Sequence, residues 1–493
     1  MTDRSTPVPS DDAVPAAGTP AGGAVPAGGV FARQWRWLSL GMFALILLAA
    51  FEVLAVTTAM PIIAADLDGE GLYALAFSVP LAAGVVGMVV AGNWSDRSGP
   101  LPPLLAAGVL FVVGLVIAGL APNMPVLVLG RLVHGIGGAA VIVPLYVIVA
   151  RVYPESVRSR VFAGFAAAWV IPSILGPTVA GYVAEELDWR WVFLGVIALV
   201  LPAALMMLAP LLRVLDLVRG DPNVPWSGRR LGWSVLAAAA ALGISLAAGF
   251  DEPWRWIVAV LSIAVAVVAV RPLLPPGTLR AVRGIPATVL MRAIVAGAFF
   301  GAEIYLPKML IERYDLPAGL AGAVLTGAGL SWAAASWLQG RLDARLSNTE
   351  VVRIGAITLA ISLAGVLAIA LLTLPPAAAF VAWTLAGAAM GFMYPRFSVA
   401  VLEQSPQSVQ GFNSAALTIG ESLGGAVSLA VTALVASVAA AGAYAPEFAV
   451  TAAIAVVGVL LASRVRPPHG WRDRVTGAAV PAGESQATST TGE

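Results

Sequence analysis

The chain of 493 residues has no cysteine, only two histidines and few charged side chains. Without cysteine it can form no disulfide bond and has no thiol for catalysis or metal binding. Charged residues make up 11% of the chain, whereas soluble domains contain roughly 25%. A formal net charge of +1 also gives no support for bulk nucleic-acid binding. These absences argue against a soluble protein, a thiol enzyme and a nucleic-acid partner.

The sequence also lacks the motifs of nucleotide and metal chemistry. No G-x-x-x-x-G-K-[ST] loop occurs, so a pump with its own nucleotide site is not expected. No group of histidines and carboxylates has the spacing of a metal site, and no nucleophile arrangement is found. We therefore predict no metal, no cofactor, no catalytic residues and no enzymatic activity.

Long apolar runs are what the sequence has instead, and 59% of its residues are hydrophobic. A helix needs about 20 apolar residues to cross a hydrocarbon layer about 30 Å thick. The sequence therefore predicts a multi-pass, all-α integral membrane protein in a lipid bilayer. Its fourteen predicted spans are 38–63, 71–92, 101–121, 125–150, 160–182, 191–212, 231–250, 254–271, 287–309, 317–340, 351–374, 377–399, 408–440 and 445–463.

The two ends of the chain depart from this pattern. Residues 1–35 and 467–493 lack apolar periodicity, which predicts disordered tails. No cleavage pattern of small residues follows a short apolar core, so the first apolar run is predicted to be retained as a span. Arginines concentrate in alternate loops and at the C-terminal end, and positive residues favour cytoplasmic loops. We therefore predict that both termini are cytoplasmic.

Several features recur about 250 residues apart. Glu52 matches Glu303 and Pro144 matches Pro395, both at an offset of 251, and "GNWSDRSG" from Gly92 resembles "GRLDARLS" at an offset of 248. A common offset predicts a six-span unit that is repeated in the same orientation. Parallel repeats of this kind occur in secondary transporters whose substrate site lies at the membrane midplane between the halves.

The repeat predicts how the chain is divided. A cytoplasmic tail, 1–35, precedes a six-helix bundle at 36–213, and a second six-helix bundle at 287–466 precedes the C-terminal cytoplasmic tail, 467–493. Between the bundles, 214–286 holds cytoplasmic linkers and two inserted transmembrane helices. The inserted helices have no ionisable residue at their centres, so we predict that they pack at the periphery.

A loop after the second predicted span contains Gly92, Asp96, Arg97 and Gly99 in a G-x-x-x-D-R-x-G pattern. Glycine allows two helix ends to approach each other. The Asp96 carboxylate could pair with a basic partner or a helix N-terminus across the loop. We predict that this loop acts as a latch that holds one conformation.

Other motifs lie inside the spans. Span 4 contains "GRLVHGIGGAA" with Arg131, span 5 contains "LGPTVAG" with Gly176, Pro177 and Gly181, and span 1 has Glu52 nine residues before a proline. Together with the loop, these motifs resemble those of the major facilitator superfamily. The resemblance is greater to its fourteen-span drug/proton antiporter branch, although the "PLPP" after the loop replaces a basic pair that is usual in the superfamily.

This resemblance implies a major facilitator fold of two six-helix bundles plus two inserted helices. It also implies a proton antiporter of a bacterial plasma membrane, which exports lipophilic or amphipathic small molecules as in multidrug efflux and antibiotic resistance. Such a transporter would work as a monomer and use the proton gradient as its energy source. The preference for arginine over lysine, with abundant Ala, Gly and Val, is typical of a GC-rich bacterial genome.

Ionisable side chains inside the predicted spans are the candidate proton-coupling residues. A charge at the bilayer centre costs roughly 2.5 to 3.5 kcal/mol, so Glu52, Arg131, Glu303 and Glu421 should face one another or a wet cavity. His134 lies three residues after Arg131 and shares its helix face. We predict that Glu52, Arg131, His134 and Glu303 surround one cavity, and that these four residues and Glu421 couple transport to protons.

The protonation of Glu52 is the centre of this hypothesis. Burial raises the pKa of a carboxyl and a neighbouring arginine lowers it, so such a glutamate can change its protonation when the cavity switches sides. We expect Glu52 to take a proton from outside and to release it to the cytoplasm as substrate binds. A static salt bridge with Arg131 is the alternative. Glu421 could instead bond a backbone or serine partner, and Glu303 could be solvated near the outer edge.

Aromatic and methionine side chains are predicted to line an adaptable apolar substrate cavity, although a core or lipid-facing stripe is an equal alternative for each: Phe299, Phe300, Tyr305, Met390, Phe392 and Tyr394. Two other functions stay open. The chain could be a uniporter or importer of a small metabolite, or a membrane sensor or scaffold without flux. Substrate-dependent proton movement in proteoliposomes distinguishes these alternatives.

Overall fold

A computed structural model describes residues 30–342, 345–406, 409–439 and 442–467. These residues form sixteen α-helices joined by short loops and single turns, and no β-strand occurs among them. Apart from residues 30–35 and 467, the predicted disordered tails lie outside the described residues.

The helices fall into a first half, an inserted pair and a second half. The first half contains α1 (Arg36–Asp66), α2 (Tyr73–Ser98), α3 (Leu101–Gly119), α4 (Met124–Val152), α5 (Glu155–Ala167), α6 (Val170–Val183) and α7 (Arg190–Arg213). The inserted pair is α8 (Gly228–Ala247) and α9 (Trp254–Val270). The second half contains α10 (Ile285–Glu303), α11 (Tyr305–Tyr314), α12 (Ala318–Arg341), α13 (Asn348–Leu372), α14 (Pro376–Gln404), α15 (Gln410–Ala436) and α16 (Ala445–Leu461).

Thirteen helical segments in the described part of the chain are long and apolar enough to cross a membrane, with α10 and α11 counted as one segment. The fifth predicted span, 160–182, is divided at Ala168 and Trp169 into α5 and α6, each shorter than a bilayer crossing. Pro172 accounts for part of this break, because it lacks the N–H that would bond to the Ala168 carbonyl of a continuous helix. The protein is a multi-pass, all-α membrane protein.

The same helix pairs pack together in both halves. In the first half, α1 packs against α6 and α7, and α4 packs against α2 and α3. In the second half, α10 packs against α15 and α16, and α14 packs against α12 and α13. These pairs are related by the spacing of about 250 residues from which the internal repeat was predicted.

The two halves meet mainly along two helix contacts, α6 with α12 and α2 with α15, and α1 makes smaller contacts with α11 and α12. Small residues allow the first of these contacts. A Cβ atom on Gly181 would lie 2.5 Å from the Cα of Gly319, so only glycine permits this approach. Gly176 lies farther from the second half, and a Cβ there would be 3.6 Å from the Phe51 and Leu54 side chains of α1. Pro177 packs near Gly322 of α12. The predicted Gly-Pro element therefore lies partly at the seam between the halves.

The inserted helices occupy different positions, and the predicted peripheral role is wrong for one of them. The α9 helix packs mainly on α8 and is largely exposed, as predicted. The α8 helix instead contacts both α2 and α15, one from each half. Ala238 and Ala241 pack between Ala82 and Ala426, because alanine lets three helices approach closely. The prediction was wrong because hydropathy alone does not distinguish an alanine-rich run that faces lipid from one that packs between helices.

We call the side of the bundle where α1 begins and α16 ends the terminal face, and the other side the opposite face. The halves are joined near the opposite face. There the Tyr73 hydroxyl donates to the Ile304 carbonyl oxygen at 2.7 Å, Lys308 forms an ion pair with Glu70, and the Ala318 N–H donates to a Glu185 carboxylate. On the terminal side, α5 packs against α1, α4 and α6 of its own half. From these contacts we infer that the space between the halves opens toward the terminal face.

Candidate functional site

Glu52 lies in the middle of α1, and the whole residue is only 1% exposed. It is sixteen residues from the start of the helix, or about 24 Å at a rise of 1.5 Å per residue. A carboxylate at this depth requires a partner, because an unpaired charge in a low-dielectric interior is very costly.

Arg131 of α4 is that partner. Its Nη1 forms an ion pair with Glu52 Oε1, and both side chains are buried. The Arg131 Nε also donates to the Ala76 carbonyl oxygen of α2 at 3.2 Å. The pair therefore connects α1, α2 and α4, and one guanidinium holds both the carboxylate and a backbone oxygen.

His134 lies on the other side of the same carboxylate. Its Nε2 is 3.3 Å from Glu52 Oε2, and its ring centroid is 4.7 Å from that of Phe111. Neither imidazole nitrogen nor Glu52 Oε2 has a hydrogen bond to any described residue. We call Glu52, Arg131 and His134 the first-half cluster. One of its carboxylate oxygens is engaged by arginine, and the other lies beside a histidine without a hydrogen bond.

A second ion pair lies in the other half and was missed by the sequence analysis. Glu421 of α15 accepts hydrogen bonds from Arg292 of α10 through a single oxygen, Oε2, at 2.9 Å from Nε and 2.7 Å from Nη2. The alternative of a backbone or serine partner for Glu421 is not what the structure shows, because its partner is Arg292. The signal for Arg292 was present, since it is an arginine inside a predicted apolar span.

The surroundings of Arg292 and Glu421, which we call the second-half pair, are aromatic and partly open. Arg292 lies 4.5 Å from the Tyr394 ring centroid, and its Nη1 donates to Ser398 Oγ at 3.2 Å. Tyr146 of α4, in the first half, is within electrostatic range of the pair and is 47% exposed. The second-half pair therefore lies where the two halves face each other.

Glu303, the repeat counterpart of Glu52, differs from both glutamates. It is 9% exposed at the end of α10. No hydrogen bond or ion pair joins it to another described residue. The prediction that Glu52, Arg131, His134 and Glu303 surround one cavity therefore stays a prediction, since no described contact joins Glu303 to the other three. The structure groups Glu52 with Arg131 and His134, places Glu421 on a different arginine, and leaves Glu303 separate from both groups.

The predicted cavity-lining residues are divided between the core and the space between the halves. Phe299 and Met390 are buried within the second half, where the Phe299 ring stacks on Trp383 at 4.7 Å. Tyr305 is also buried and packs beside Tyr73 near the opposite face. Phe300, Phe392 and Tyr394 are partly exposed, and of these only Tyr394 contacts an ionisable side chain, among the described contacts.

The predicted latch loop is contacted by the segment that leads to the inserted helices. The Arg97 Nη1 donates to the Val224 carbonyl oxygen at 3.2 Å, and the Asp96 carbonyl oxygen accepts from the Asp221 N–H at 2.9 Å. The Asp96 carboxylate forms no ion pair within 4.0 Å with any described residue, and Arg151 is the basic side chain in its electrostatic range. The predicted role of the loop as a latch stays a prediction.

Two glycines of this loop have different environments. Gly99 adopts a φ of +82°, a conformation that favours glycine, and a Cβ there would lie 2.6 Å from the Val218 carbonyl oxygen. Gly92 is less constrained, since a Cβ would find its nearest neighbour at 3.8 Å. Of these two loop glycines, only Gly99 is therefore required by the docking of the linker.

No group of three or more metal-ligating side chains is found among the residues that the structure describes. The ionisable side chains thus occur as ion pairs and isolated acids, an arrangement that can hold or release protons and bind charged groups.

Comparison with protein families assigns the chain over most of its length. The family model described as Major Facilitator Superfamily matches residues 42–429. This chain belongs to the Major Facilitator Superfamily. The match includes both halves up to α15, and with it the first-half cluster, the latch loop and the second-half pair.

Curated relatives from this superfamily are similar over parts of the chain. An MFS-type transporter, ppz2, from Metarhizium majus is 28% identical over 280 residues, which cover 53% of this chain and 47% of the relative. Multidrug resistance protein 3 from Bacillus subtilis is 30% identical over 158 residues, which cover 32% of this chain and 31% of the relative. The chain therefore matches less than half the length of these relatives.

Solved structures show the superfamily fold at low sequence identity. An auto-inhibited peptide transporter of the POT family superposes with a TM-score of 0.65 at 14% identity, covering 90% of this chain and all of that one. At this identity the likeness concerns the fold alone.

Proposed function

We propose that this protein is a secondary active transporter of the plasma membrane, which exports lipophilic or amphipathic small molecules in exchange for protons by alternating access. The superfamily assignment and the transporter names of its relatives support the general activity. Its packing supports alternating access, because two similar halves contact each other near the opposite face and open toward the terminal face. The arginine-rich loops support a cytoplasmic assignment for the terminal face.

The observation that carries the proton-coupling proposal is the asymmetry at Glu52. One carboxylate oxygen is paired with Arg131, and the other lies 3.3 Å from the His134 imidazole without a hydrogen bond. A proton that binds the free oxygen neutralises the carboxylate and weakens its attraction to Arg131. Because Arg131 also holds the Ala76 carbonyl, this change reaches three helices of the first half.

The proposed cycle uses these changes in order. In the inward-open state, the substrate enters from the terminal face and Glu52 releases its proton to that side, so that the ion pair with Arg131 forms. After the halves rock and the opposite face opens, Glu52 takes a proton and substrate leaves. The neutral carboxyl then favours the return to the inward-open state, because no buried ion pair has to stay in contact during that movement.

The test is substrate-dependent proton movement in proteoliposomes that carry the purified protein and an internal pH dye. We expect wild-type protein to move protons against a lipophilic test substrate. Glu52→Gln should abolish the effect of a pH gradient on flux and retain substrate exchange without a gradient. Asp216→Asn is the matched acid-to-amide control, because Asp216 pairs with Arg219 while both side chains are highly exposed, and it should behave like wild type.

Each other outcome has a distinct meaning. A Glu52→Gln protein whose export keeps its full proton dependence would show that Glu52 is not the coupling acid. Substrate flux that ignores the pH gradient in the wild type would indicate a uniporter. A wild-type protein without flux for any substrate of a broad panel, although folded, would indicate a sensor or scaffold.

A further inference from the structure

The second-half pair differs from a structural ion pair because it is on the wall of the open space between the halves. The Arg292 and Glu421 side chains are 15% and 22% exposed, compared with 5% and 1% for Arg131 and Glu52. Arg292 is seven residues from the start of α10, or about 10 Å at 1.5 Å per residue. It is therefore nearer to the terminal face, toward which that space opens.

The hydrogen bonds of this pair leave an acceptor oxygen on Glu421 and N–H donors on Arg292 available. Two Arg292 nitrogens donate to the same oxygen of Glu421, so the other oxygen, Oε1, is free of the arginine. A guanidinium has five N–H donors, and three suffice for the Glu421 and Ser398 contacts. A ligand could therefore approach a carboxylate oxygen and N–H donors at one place.

One aromatic side chain of the first half lies near this pair. Tyr146 is 47% exposed and lies in electrostatic range of Arg292 and Glu421. Its ring centroid is 5.1 Å from that of Phe162, which is 38% exposed. Tyr146 of α4, with Phe162 of α5 packed on it, thus brings aromatic surface of the first half toward the ion pair on α10 and α15.

From this juxtaposition we infer that the second-half pair is a binding site for amphipathic zwitterions, with an ammonium on Glu421, a carboxylate on Arg292, and an apolar or aromatic body against Tyr146 and Phe162. This inference rests on the proposed transport function, whose substrate class it narrows. The pair carries no net charge, so a ligand with one charge must leave either Arg292 or Glu421 without full compensation. A ligand with both charges replaces the contacts of both partners.

The test compares three compounds that share an indole ring and differ in charge: tryptophan, tryptamine and indole-3-propionate. Binding to purified protein in detergent is measured at equilibrium with tritiated ligands, without any ion gradient. We expect wild-type protein to bind tryptophan about tenfold more tightly than either singly charged compound, or about 1.4 kcal/mol.

Two single variants should then change the preference in opposite directions. Arg292→Gln leaves a negative site and should favour tryptamine. Glu421→Gln leaves a positive site and should favour indole-3-propionate. The double variant, Arg292→Gln with Glu421→Gln, has no uncompensated charge and should bind all three compounds with similar, weak affinity. Asp216→Asn should keep the wild-type ranking.

The inference is overturned if wild-type protein binds the three compounds equally or prefers a singly charged one. It is also overturned if both single variants keep the wild-type order, because the pair would then serve packing alone. Wild-type ranking decides the matter even if a single variant does not fold. Zwitterion binding without proton-linked flux would contradict the proposed function and leave this inference standing. Proton-linked export of other amphipathic compounds, together with equal binding of the three indole compounds, would contradict this inference and leave the proposed function standing.

Discussion

The first-half cluster and the second-half pair each place a glutamate beside an arginine inside a membrane protein, but their surroundings differ. Glu52 and Arg131 are almost completely buried, and the arginine also holds a backbone carbonyl. Glu421 and Arg292 are partly exposed and lie beside aromatic rings. A buried pair is strongly coupled to the packing of its helices, whereas a partly wet pair can exchange partners with a ligand.

This difference follows from the local dielectric. In a dry interior the attraction between two charges is large, but so is the cost of removing them from water. Removing one partner then leaves a charge that nothing solvates. At a wall open to solvent, water compensates a lost partner. We therefore connect the first-half cluster with conformational coupling and the second-half pair with ligand binding.

The largest expected effect is that of Arg131→Gln. It leaves the Glu52 carboxylate buried beside a neutral side chain, and breaking a buried pair in this way costs about 3 to 5 kcal/mol. Chemical unfolding in a mild detergent, followed by tryptophan fluorescence, measures the change in the free energy of unfolding. The double variant with Glu52→Gln should recover most of the stability. If the single variant is as stable as wild type, the pair is not the buried structural link that we describe.

Arg292→Gln should have a smaller effect, roughly 1 to 2 kcal/mol, because solvent can partly compensate the remaining Glu421 carboxylate. The same unfolding measurement applies. Salt sharpens the comparison, since screening acts on accessible charges much more than on buried ones. The difference between Arg292→Gln and wild type should shrink in high salt, while that for Arg131→Gln should not. Equal losses in both variants would remove the distinction between the two sites.

The smallest effect is expected at the opposite face, where Glu70 and Lys308 join the two halves. The Glu70 side chain is 51% exposed, and exposed ion pairs contribute about 0 to 1 kcal/mol. Glu70→Gln should therefore leave the unfolding curve almost unchanged. A loss of stability as large as that of Arg131→Gln would contradict the expectation that a more buried ion pair contributes more to stability.

Much of the fold could be predicted from the sequence because the features that determine it are local. Apolar runs of sufficient length predicted the helices, and the break in the fifth span at Ala168 and Trp169 went unrecognised because hydropathy does not report helix continuity. The family resemblance is confirmed for the superfamily, while membership of the fourteen-span drug/proton antiporter branch stays a prediction. The contact of Glu52 with Arg131 and His134 agrees with the predicted shared face, whereas their role in proton coupling stays a proposal.

The second-half pair shows where sequence reasoning failed. Glu421 was noticed, but its partner Arg292 lies 129 residues away and has no motif to connect them. The same holds for α8, whose alanines gave no sign that this helix packs between the two halves.

By itself, the sequence determined that this chain crosses a membrane many times as two related helical units, and that certain charges must be sheltered there. Hydropathy, span length and repeat spacing act along the chain, so they can be read from it. Only the tertiary structure decided which charge meets which, which pair is dry and which is wet, and where the space between the halves opens. Those properties depend on distances between helices far apart in the chain, and the same pair of residue types behaves differently according to the water that the surrounding helices admit.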